Sequence, residues 1–311
     1  MDRQIQFSMV AERWLETKLQ LVKRSTYCAY SLIIKTHLIP AFKDYAEISE
    51  SEAQQFVIDK LKSGLKRKTV KDILATLRTI VRFGEKHFGF PDEHWEIMLP
   101  TDTESKTLPA LSILHHRKLL QHLLEYPTVQ NIGVTIALTT GMRIGEVCAL
   151  RWENTDLVHR TITVRQTVGR IYDSEHKKTE RITSTPKTKA SNREIPIGKE
   201  LFNALRAIKC KANGNTYVVG GTNSPKEPRT YREYFTRLLA RLGIPKIVFH
   251  GLRHTFATRC IECMCDYKTV SVILGHSNVA TTMNLYVHPN NEQKKRCLER
   301  LSKFVAIEDT K

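Results

Sequence analysis

A polar segment bounded by two prolines constrains the fold of this chain more than any other sequence feature. It begins at Pro100, continues as Thr-Asp-Thr-Glu-Ser-Lys and ends near Pro109, with no apolar periodicity. Such segments are typical of linkers between domains. The chain also has 311 residues, more than a single domain usually contains. We therefore predict two domains, residues 1–99 and 111–311, joined by a linker at 100–110.

The first hundred residues have the spacing of a small helical bundle. Apolar residues recur at helical intervals over 14–22. A second helix is expected to begin after Ser25 and to end at Pro40, because proline cannot continue a helix. Ser49 is a good cap for a third helix, and a fourth is expected to begin near residue 68. Short connections between such helices predict compact packing.

The second part combines helices with a small amount of sheet. Ser112 can cap its first helix, and residues 161–164 alternate in the manner of a strand. Residues 182–197 are predicted to form a hairpin with a lysine-rich turn. Helices return after Gly198, including one expected from residue 254, and the last is an amphipathic helix at 292–305. The predicted fold class is mainly α (α+β), with a small antiparallel sheet and a β-hairpin.

The charge balance points to a polyanionic partner. Lys and Arg total 49 against 32 Asp and Glu, a net charge of +17, and residues 1–100 contribute only +3 of it. Nucleic acid is favoured over a membrane surface. No run of 18 apolar residues predicts a membrane span, and no signal-peptide core begins the chain. The odd count of seven cysteines suggests reduced thiols and a cytoplasmic protein.

Three of those cysteines, Cys260, Cys263 and Cys265, lie close together in the sequence. Their spacing lacks the second pair of ligands that a zinc site usually needs. No carboxylate cluster of the kind that holds Mg²⁺ is recognisable either. We therefore expect no metal, and we expect these cysteines to be small buried residues.

Basic and imidazole groups recur in the last third of the chain, and one tyrosine follows the last of them. H-G-L-R-H supplies His250 and Arg253, L-G-H-S supplies His276, and Tyr286 follows ten residues later. Arg143 lies upstream in G-M-R-I-G-E. A guanidinium matches phosphate oxygens, and a phenol can attack phosphorus if a neighbour takes its proton. The set therefore suits binding a phosphodiester and attacking it with a tyrosine.

The order of these motifs resembles the tyrosine recombinase (phage integrase) family over nearly the whole chain, most strongly from about residue 135. The resemblance implies a SAM-like core-binding domain followed by a catalytic domain. It implies that Tyr286 forms a 3′-phosphotyrosyl link to DNA, while Arg143, His250, Arg253 and His276 act on the phosphate. No cofactor is implied.

The family also places a general-acid lysine in a hairpin beside the scissile phosphate. P-K-T-K-A-S-N-R-E-I-P resembles that hairpin, which favours Lys187 as the acid over Lys189. Lys189 is then expected to contact DNA. Glu146 corresponds to the acidic residue of the family one helical turn after Arg143, where it is expected to orient an arginine or a histidine.

Duplex DNA with specific core sites is the implied partner. Four basic residues are expected to contact its backbone: Lys66, Arg67, Lys68 and Lys71. The resemblance implies a homotetramer on synapsed DNA, with residues 292–305 docking onto a neighbouring protomer. An accessory DNA-bending or directionality factor is a further possible partner.

Integration and excision of a phage or conjugative element is the first functional hypothesis, because residues 165–193 are longer than the hairpin of Xer-type enzymes. The alternatives are an Xer-type resolvase, a DNA invertase, a type IB topoisomerase, or a DNA-binding regulator without catalytic activity. The core-binding pattern starts within the first dozen residues. We therefore expect either a recombinase that uses core sites alone or a form that has lost an arm-binding domain.

Overall fold

The computed structural model describes residues 5–91, 94–101, 109–174, 176–186, 189–209, 216–283, 295, 298–302 and 305. The chain divides into an N-terminal unit (residues 1–106 and 170–181) and a C-terminal unit (residues 107–169 and 182–311). Each unit has its own hydrophobic core. The domain boundary at 100–110 remains a prediction.

The N-terminal unit is the predicted bundle of helices. Its longest helix presents Val70, Ile73, Leu77 and Ile80 to the core, all fully buried, at the spacing of one helical face. That helix ends at Gly89, which has the positive φ that favours glycine. The helices are α1 (Phe7–Lys18), α2 (Arg24–Ile33), α3 (Ile39–Phe42), α4 (Glu50–Lys62) and α5 (Arg67–Phe88).

The helix that was expected to end at Pro40 continues past it. After α2 the chain forms a π-helical segment, Ile34–Leu38, and α3 follows with Pro40 in its first turn. A proline is tolerated there, because first-turn N–H groups have no partner within the helix. The predicted helix end at Pro40 was wrong, because the π-helical segment is followed at once by a new helix, α3, whose first turn contains Pro40.

The start of α4 follows the sequence prediction. The backbone N–H of Glu52 donates to Ser49 Oγ at 3.3 Å, and the backbone N–H of Ser49 donates to Glu52 Oε2 at 2.9 Å. This reciprocal pair is a capping box. It confirms Ser49 as the helix cap.

We expect Ser49→Ala to lower the free energy of unfolding by about 1 kcal/mol, because the backbone N–H of Glu52 loses the hydroxyl that caps it. Urea unfolding of the full chain measures the difference. Ser63→Ala is the control, since the Ser63 hydroxyl at the other end of α4 only donates to the carbonyl of Lys60. Equal losses in the two variants would contradict the assignment.

The C-terminal unit is built around one apolar helix. Helix α7 (Asn131–Thr140) has no polar face, and all but one of its residues are buried. Its neighbours include α6, α9 and α11. The other helices are α6 (Ile113–Glu125), α8 (Ile144–Cys148), α9 (Lys199–Lys209), α10 (Pro228–Arg241), α11 (His250–Glu262), α12 (Tyr267–Leu274) and α13 (Ala280–Met283).

The strands form two small sheets. In the first, β1 (Thr155–Asp156), β2 (Thr161–Val164) and β5 (Arg193–Pro196) are antiparallel in the order β1-β2-β5. In the second, β3 (Thr167–Asp173) pairs with β4 (Lys178–Ser184). Mainly helical structure with a small antiparallel sheet confirms the predicted fold class.

The hairpin predicted over residues 182–197 was wrong in its pairing. Residues 182–184 end β4, which pairs with β3, whereas β5 pairs with β2. Ile195 lies opposite Ile162 in this second pairing, and both are buried. The buried face of β5 therefore has its apolar partner on β2.

The prediction that Cys260, Cys263 and Cys265 are buried was wrong for two of them. Cys263 and Cys265 are exposed, not buried, because α11 ends at Glu262 and the chain turns along the surface towards α12. Cys260 is partly buried. Among the described residues no helix has the length and apolar character needed to cross a membrane.

Candidate active site

The turn after α7 places Arg143. Gly141 ends the helix at φ +68°, and a Cβ there would lie 2.5 Å from Leu274 Cδ2, so only glycine fits. Arg143 then lies at the start of α8. Its Nη2 donates to the carbonyl of Gly275 at 3.3 Å.

Glu146 holds Arg143 through both oxygens. Its Oε2 accepts from the Arg143 backbone N–H and its Oε1 from Arg143 Nη1, each at 2.9 Å. Glu146 is 3% exposed. Burial alone would raise the pKa of Glu146, but hydrogen bonds and positive charge from Arg193 and Arg143 lower that pKa below its ordinary value. Glu146 is therefore a carboxylate at neutral pH.

Helix α11 supplies His250 and Arg253 from its first turn. The helix begins at His250, four residues before the predicted start. Arg253 is 4% exposed, and its Nη1 donates to the carbonyls of Gly141 at 2.9 Å and Leu274 at 2.7 Å. Its Nη2 is buried and has no hydrogen-bond partner among the described residues. An unpaired buried donor is costly, so Nη2 is a position for an anionic oxygen.

Desolvation weakens but does not remove the charge of Arg253. Burial, and then the charge of Arg143, lower the pKa of Arg253 to about 9. Arg253 is therefore still a cation at neutral pH. The His250 ring is open to solvent on one side, and desolvation by the protein on the other, followed by the charges of Arg253 and Arg143, lowers its pKa.

His276 follows the turn that ends α12. Gly275 has φ +67°, and a Cβ there would lie 2.8 Å from the carbonyl oxygen of Ala190. The His276 Nδ1 lies 2.8 Å from the hydroxyl of Thr282, a buried residue of α13. Burial, and then the charges of Arg253 and Arg143, lower the pKa of His276 to about 4.

We expect the His276 ring to stay neutral until the pH falls to about 4, because burial disfavours the charged ring and nearby arginines oppose a further positive charge. NMR of the ring signals against pH, assigned with His276→Gln, measures this. His159 is an internal control of opposite sign, since its hydrogen bond to Asp156 raises its pKa. A His276 midpoint at or above 6.5 would contradict the described geometry.

The turn at residues 274–276 brings four of the predicted site residues together. The carbonyl of Leu274 accepts from Arg253, and the carbonyl of Gly275 accepts from Arg143. His276 is the last residue of the turn. His250 lies within the field of both arginines. Four side chains from three separate sequence motifs thus surround one position suited to a phosphate.

The other predicted residues are distributed as follows. Lys187 and Tyr286 lie outside the described residues, and for Lys189 only its backbone, in a short 3₁₀ turn, is described. The four predicted DNA contacts lie at the start of α5 in the N-terminal unit. The exposed residues are Lys66, Lys68 and Lys71, and Arg67 is partly buried.

Sequence reasoning missed Arg193, which is buried beside Glu146 on β5. The available signal was its alternation with Ile195, which places both side chains on the inward face of the strand. Within the part of the chain that the structure describes, no three His, Cys, Asp or Glu side chains are grouped to hold a metal ion.

Two family models match this chain. The one described as the phage integrase family matches residues 115–293, more than half of the chain. The one described as the N-terminal SAM-like domain of phage integrases matches residues 6–61.

The matches to three known relatives cover different shares of this chain and of each relative. The chain is 32% identical to a XerC-like tyrosine recombinase of Caldanaerobacter subterraneus, over 54% of this chain and 47% of that protein. It is 24% identical to the integrase of Staphylococcus phage L54a, over 82% of this chain and 80% of the relative. It is also 24% identical to the transposase of transposon Tn916 from Enterococcus faecalis, over 82% and 67%. The match therefore spans about half of the first relative.

Solved structures share the fold. The Tn1549 transposon integrase in complex with a circular intermediate DNA superposes with a TM-score of 0.75 at 20% identity, over 96% of this chain and 99% of that one. A lambda integrase dimer bound to a core site gives a TM-score of 0.65 at 17% identity, over 89% and 97%.

Proposed function

Since this chain belongs to the phage integrase family of tyrosine recombinases, we propose that it cuts and rejoins duplex DNA at specific sites through a 3′-phosphotyrosyl intermediate. The observation that carries the proposal is the Nη2 of Arg253, a buried cationic donor without a described partner. It lies where Arg143, His250 and His276 also converge. A phosphodiester oxygen satisfies that donor.

The proposed reaction balances within the protein and the DNA. The hydroxyl oxygen of Tyr286 attacks phosphorus, the bond from phosphorus to the 5′-oxygen breaks, and Lys187 gives that oxygen a proton. The phenol proton passes to the imidazole of His250 or His276, and the lowered pKa values mean that both rings are neutral before the attack. Arg143 and Arg253 stabilise the added charge on the phosphate. No water is consumed, so the bond energy is retained for rejoining.

Duplex DNA with core sites is the proposed partner. The exposed lysines at the start of α5 support backbone contacts. We propose a homotetramer in which residues 292–305 dock onto a neighbouring protomer. Three apolar side chains of that segment are more than half exposed, which supports a covering partner: Leu298, Leu301 and Val305. We assign residues 1–99 to core binding and 111–311 to catalysis.

Integration and excision of a mobile element is the proposed biological reaction, in the cytoplasm, where such DNA is available. Relatives that span most of this chain are named as a phage integrase and a transposon transposase. The β3–β4 pair, within the long region noted in the sequence, supports the same choice. An accessory DNA-bending or directionality factor belongs to this proposal.

A nicked suicide duplex made from the flanks of the encoding gene tests the proposed function. Incubation in EDTA without ATP, followed by denaturing electrophoresis, is expected to show protein attached to DNA. If the flanks do not react, a library of genomic fragments replaces them. Retained binding without any covalent species across that library would favour the DNA-binding regulator.

A further inference from the structure

We propose that Arg193 is a positioning residue that holds the two arginines proposed to bind the phosphate, Arg143 and Arg253, at a fixed distance from each other. This inference rests on the proposed function, because it concerns the same site. Arg193 itself touches neither of the arginine side chains in any described hydrogen bond. It acts through the groups that hold them.

The Arg193 side chain is 4% exposed and donates in three directions. Its Nη1 and Nη2 donate to the two oxygens of Glu146 at 3.3 and 3.0 Å. Its Nε donates to the carbonyl of Ile273 at 2.5 Å, and Nη1 also donates to the carbonyl of Ser191 at 3.1 Å. One planar guanidinium therefore connects β5, α8 and the end of α12.

Both of those partners position an arginine. Glu146 accepts from the backbone and the side chain of Arg143. Ile273 immediately precedes Leu274 and Gly275, whose carbonyls accept from Arg253 and Arg143. Because Arg193 holds both Glu146 and the end of α12, it fixes the distance between Arg143 and Arg253. Misplacement of such groups by about 1 Å is enough to slow a reaction on the order of 10²-fold.

Charge supports the same assignment. Without Arg193, the negative charge of the buried Glu146 carboxylate would be balanced by Arg143 alone. A second cation on the carboxylate leaves more of the Arg143 charge available to a phosphate. Arg193 also follows Lys187 by six residues on the same segment. Its bond to Ser191 therefore fixes the end of the stretch that contains the proposed general acid.

Lysine cannot replace this arginine in full. A guanidinium presents five donors in a fixed plane, whereas an ammonium presents three around a single nitrogen. Arg193→Lys keeps the positive charge, but its single ammonium is not expected to reach Glu146 and Ile273 together. Arg193→Met keeps much of the apolar stem and removes the charge. The two variants thus separate geometry from charge.

The test compares cleavage of the suicide duplex at saturating protein, with DNA affinity measured by gel shift. Arg193→Met is expected to lower the rate of covalent complex formation on the order of 10²-fold and Arg193→Lys about tenfold, with affinity close to wild type. Arg241→Met, an exposed arginine at the end of α10, is the matched control and is expected to react as wild type. If Arg193→Met does not fold, Arg193→Lys alone decides.

A pH profile separates positioning from general loss of structure. Arg193 is among the charges that keep His276 neutral, so Arg193→Met is expected to move the acid limb of the rate profile to higher pH. Arg193→Lys keeps the charge and is expected to leave that limb in place. A wild-type rate in Arg193→Met, or losses of binding and rate in equal proportion with an unmoved limb, would overturn the inference. Wild-type protein that forms no covalent complex overturns the proposed function instead.

Discussion

Tyr286→Phe is expected to bind its DNA site with wild-type affinity and to form no covalent complex. The substitution removes only the phenolic oxygen, which is the proposed nucleophile, and leaves the ring in place. Removing a nucleophile from an otherwise intact site lowers turnover by about 10⁴-fold or more. The proposed contacts of the arginines and histidines with the phosphate do not depend on that oxygen, so binding is expected to be retained.

Gel shift and denaturing electrophoresis of one reaction measure both quantities together. Tyr126→Phe is the matched control, because Tyr126 is an exposed tyrosine at the end of α6 in the same unit. It is expected to form the covalent complex at the wild-type rate. A covalent complex that persists in Tyr286→Phe would assign the nucleophile to another residue, which peptide mapping of the labelled adduct identifies.

Local signals explain which parts of the fold the sequence predicted. The caps at Ser49 and Ser112 depend on residues within one helical turn, and both were found from the sequence. The partner of β5 depends on a distant strand, and the sequence alone favoured its nearer neighbour. Pro40 was misjudged for a related reason, since a π-helical segment has no recognisable sequence signal.

The candidate site divides in the same way. Arg143, His250, Arg253 and His276 lie at helix ends or tight turns, and these short motifs are readable in sequence. Arg193 was not found, because an isolated arginine near a strand is usually exposed. Its burial depends on Glu146 and on the end of α12, which are far from it in the sequence.

The electrostatics of the site follow from its composition. Arg143 and Arg193 contact the buried carboxylate of Glu146, and Arg253 lies within its electrostatic field, so the described part of the site carries excess positive charge. That excess suits a phosphodiester that gains negative charge as it is attacked. Burial, and then the same charges, lower the pKa values of the two histidines, so each ring is a neutral acceptor for the phenol proton. The arginines proposed to bind the phosphate therefore also influence the protonation of the two histidines.

Arg253→Lys is expected to lower the rate of covalent complex formation by about 10³-fold while the protein remains folded. The Nη1 of Arg253 is occupied by the carbonyls of Gly141 and Leu274, and Nη2 is the atom left for a phosphate oxygen. A lysine has a single nitrogen for both tasks. It either keeps the turn at 274–276 in place or contacts the phosphate, and each choice loses one of the two functions of the arginine.

Single-turnover cleavage of the suicide duplex measures this loss, and thermal unfolding shows that the fold is retained. Arg259→Lys is the matched control, because Arg259 lies on the same helix and donates to the carbonyl of Leu111, away from the phosphate position. It is expected to react at the wild-type rate. If Arg253→Lys reacted as fast as Arg259→Lys, the unpartnered Nη2 would not be the phosphate contact, and the clamp would consist of Arg143 and the histidines. Because Arg259 Nε is also buried without a partner among the described residues, the expected difference between the two lysine substitutions tests the position of Arg253 Nη2, not an unpaired donor as such or the charge of α11.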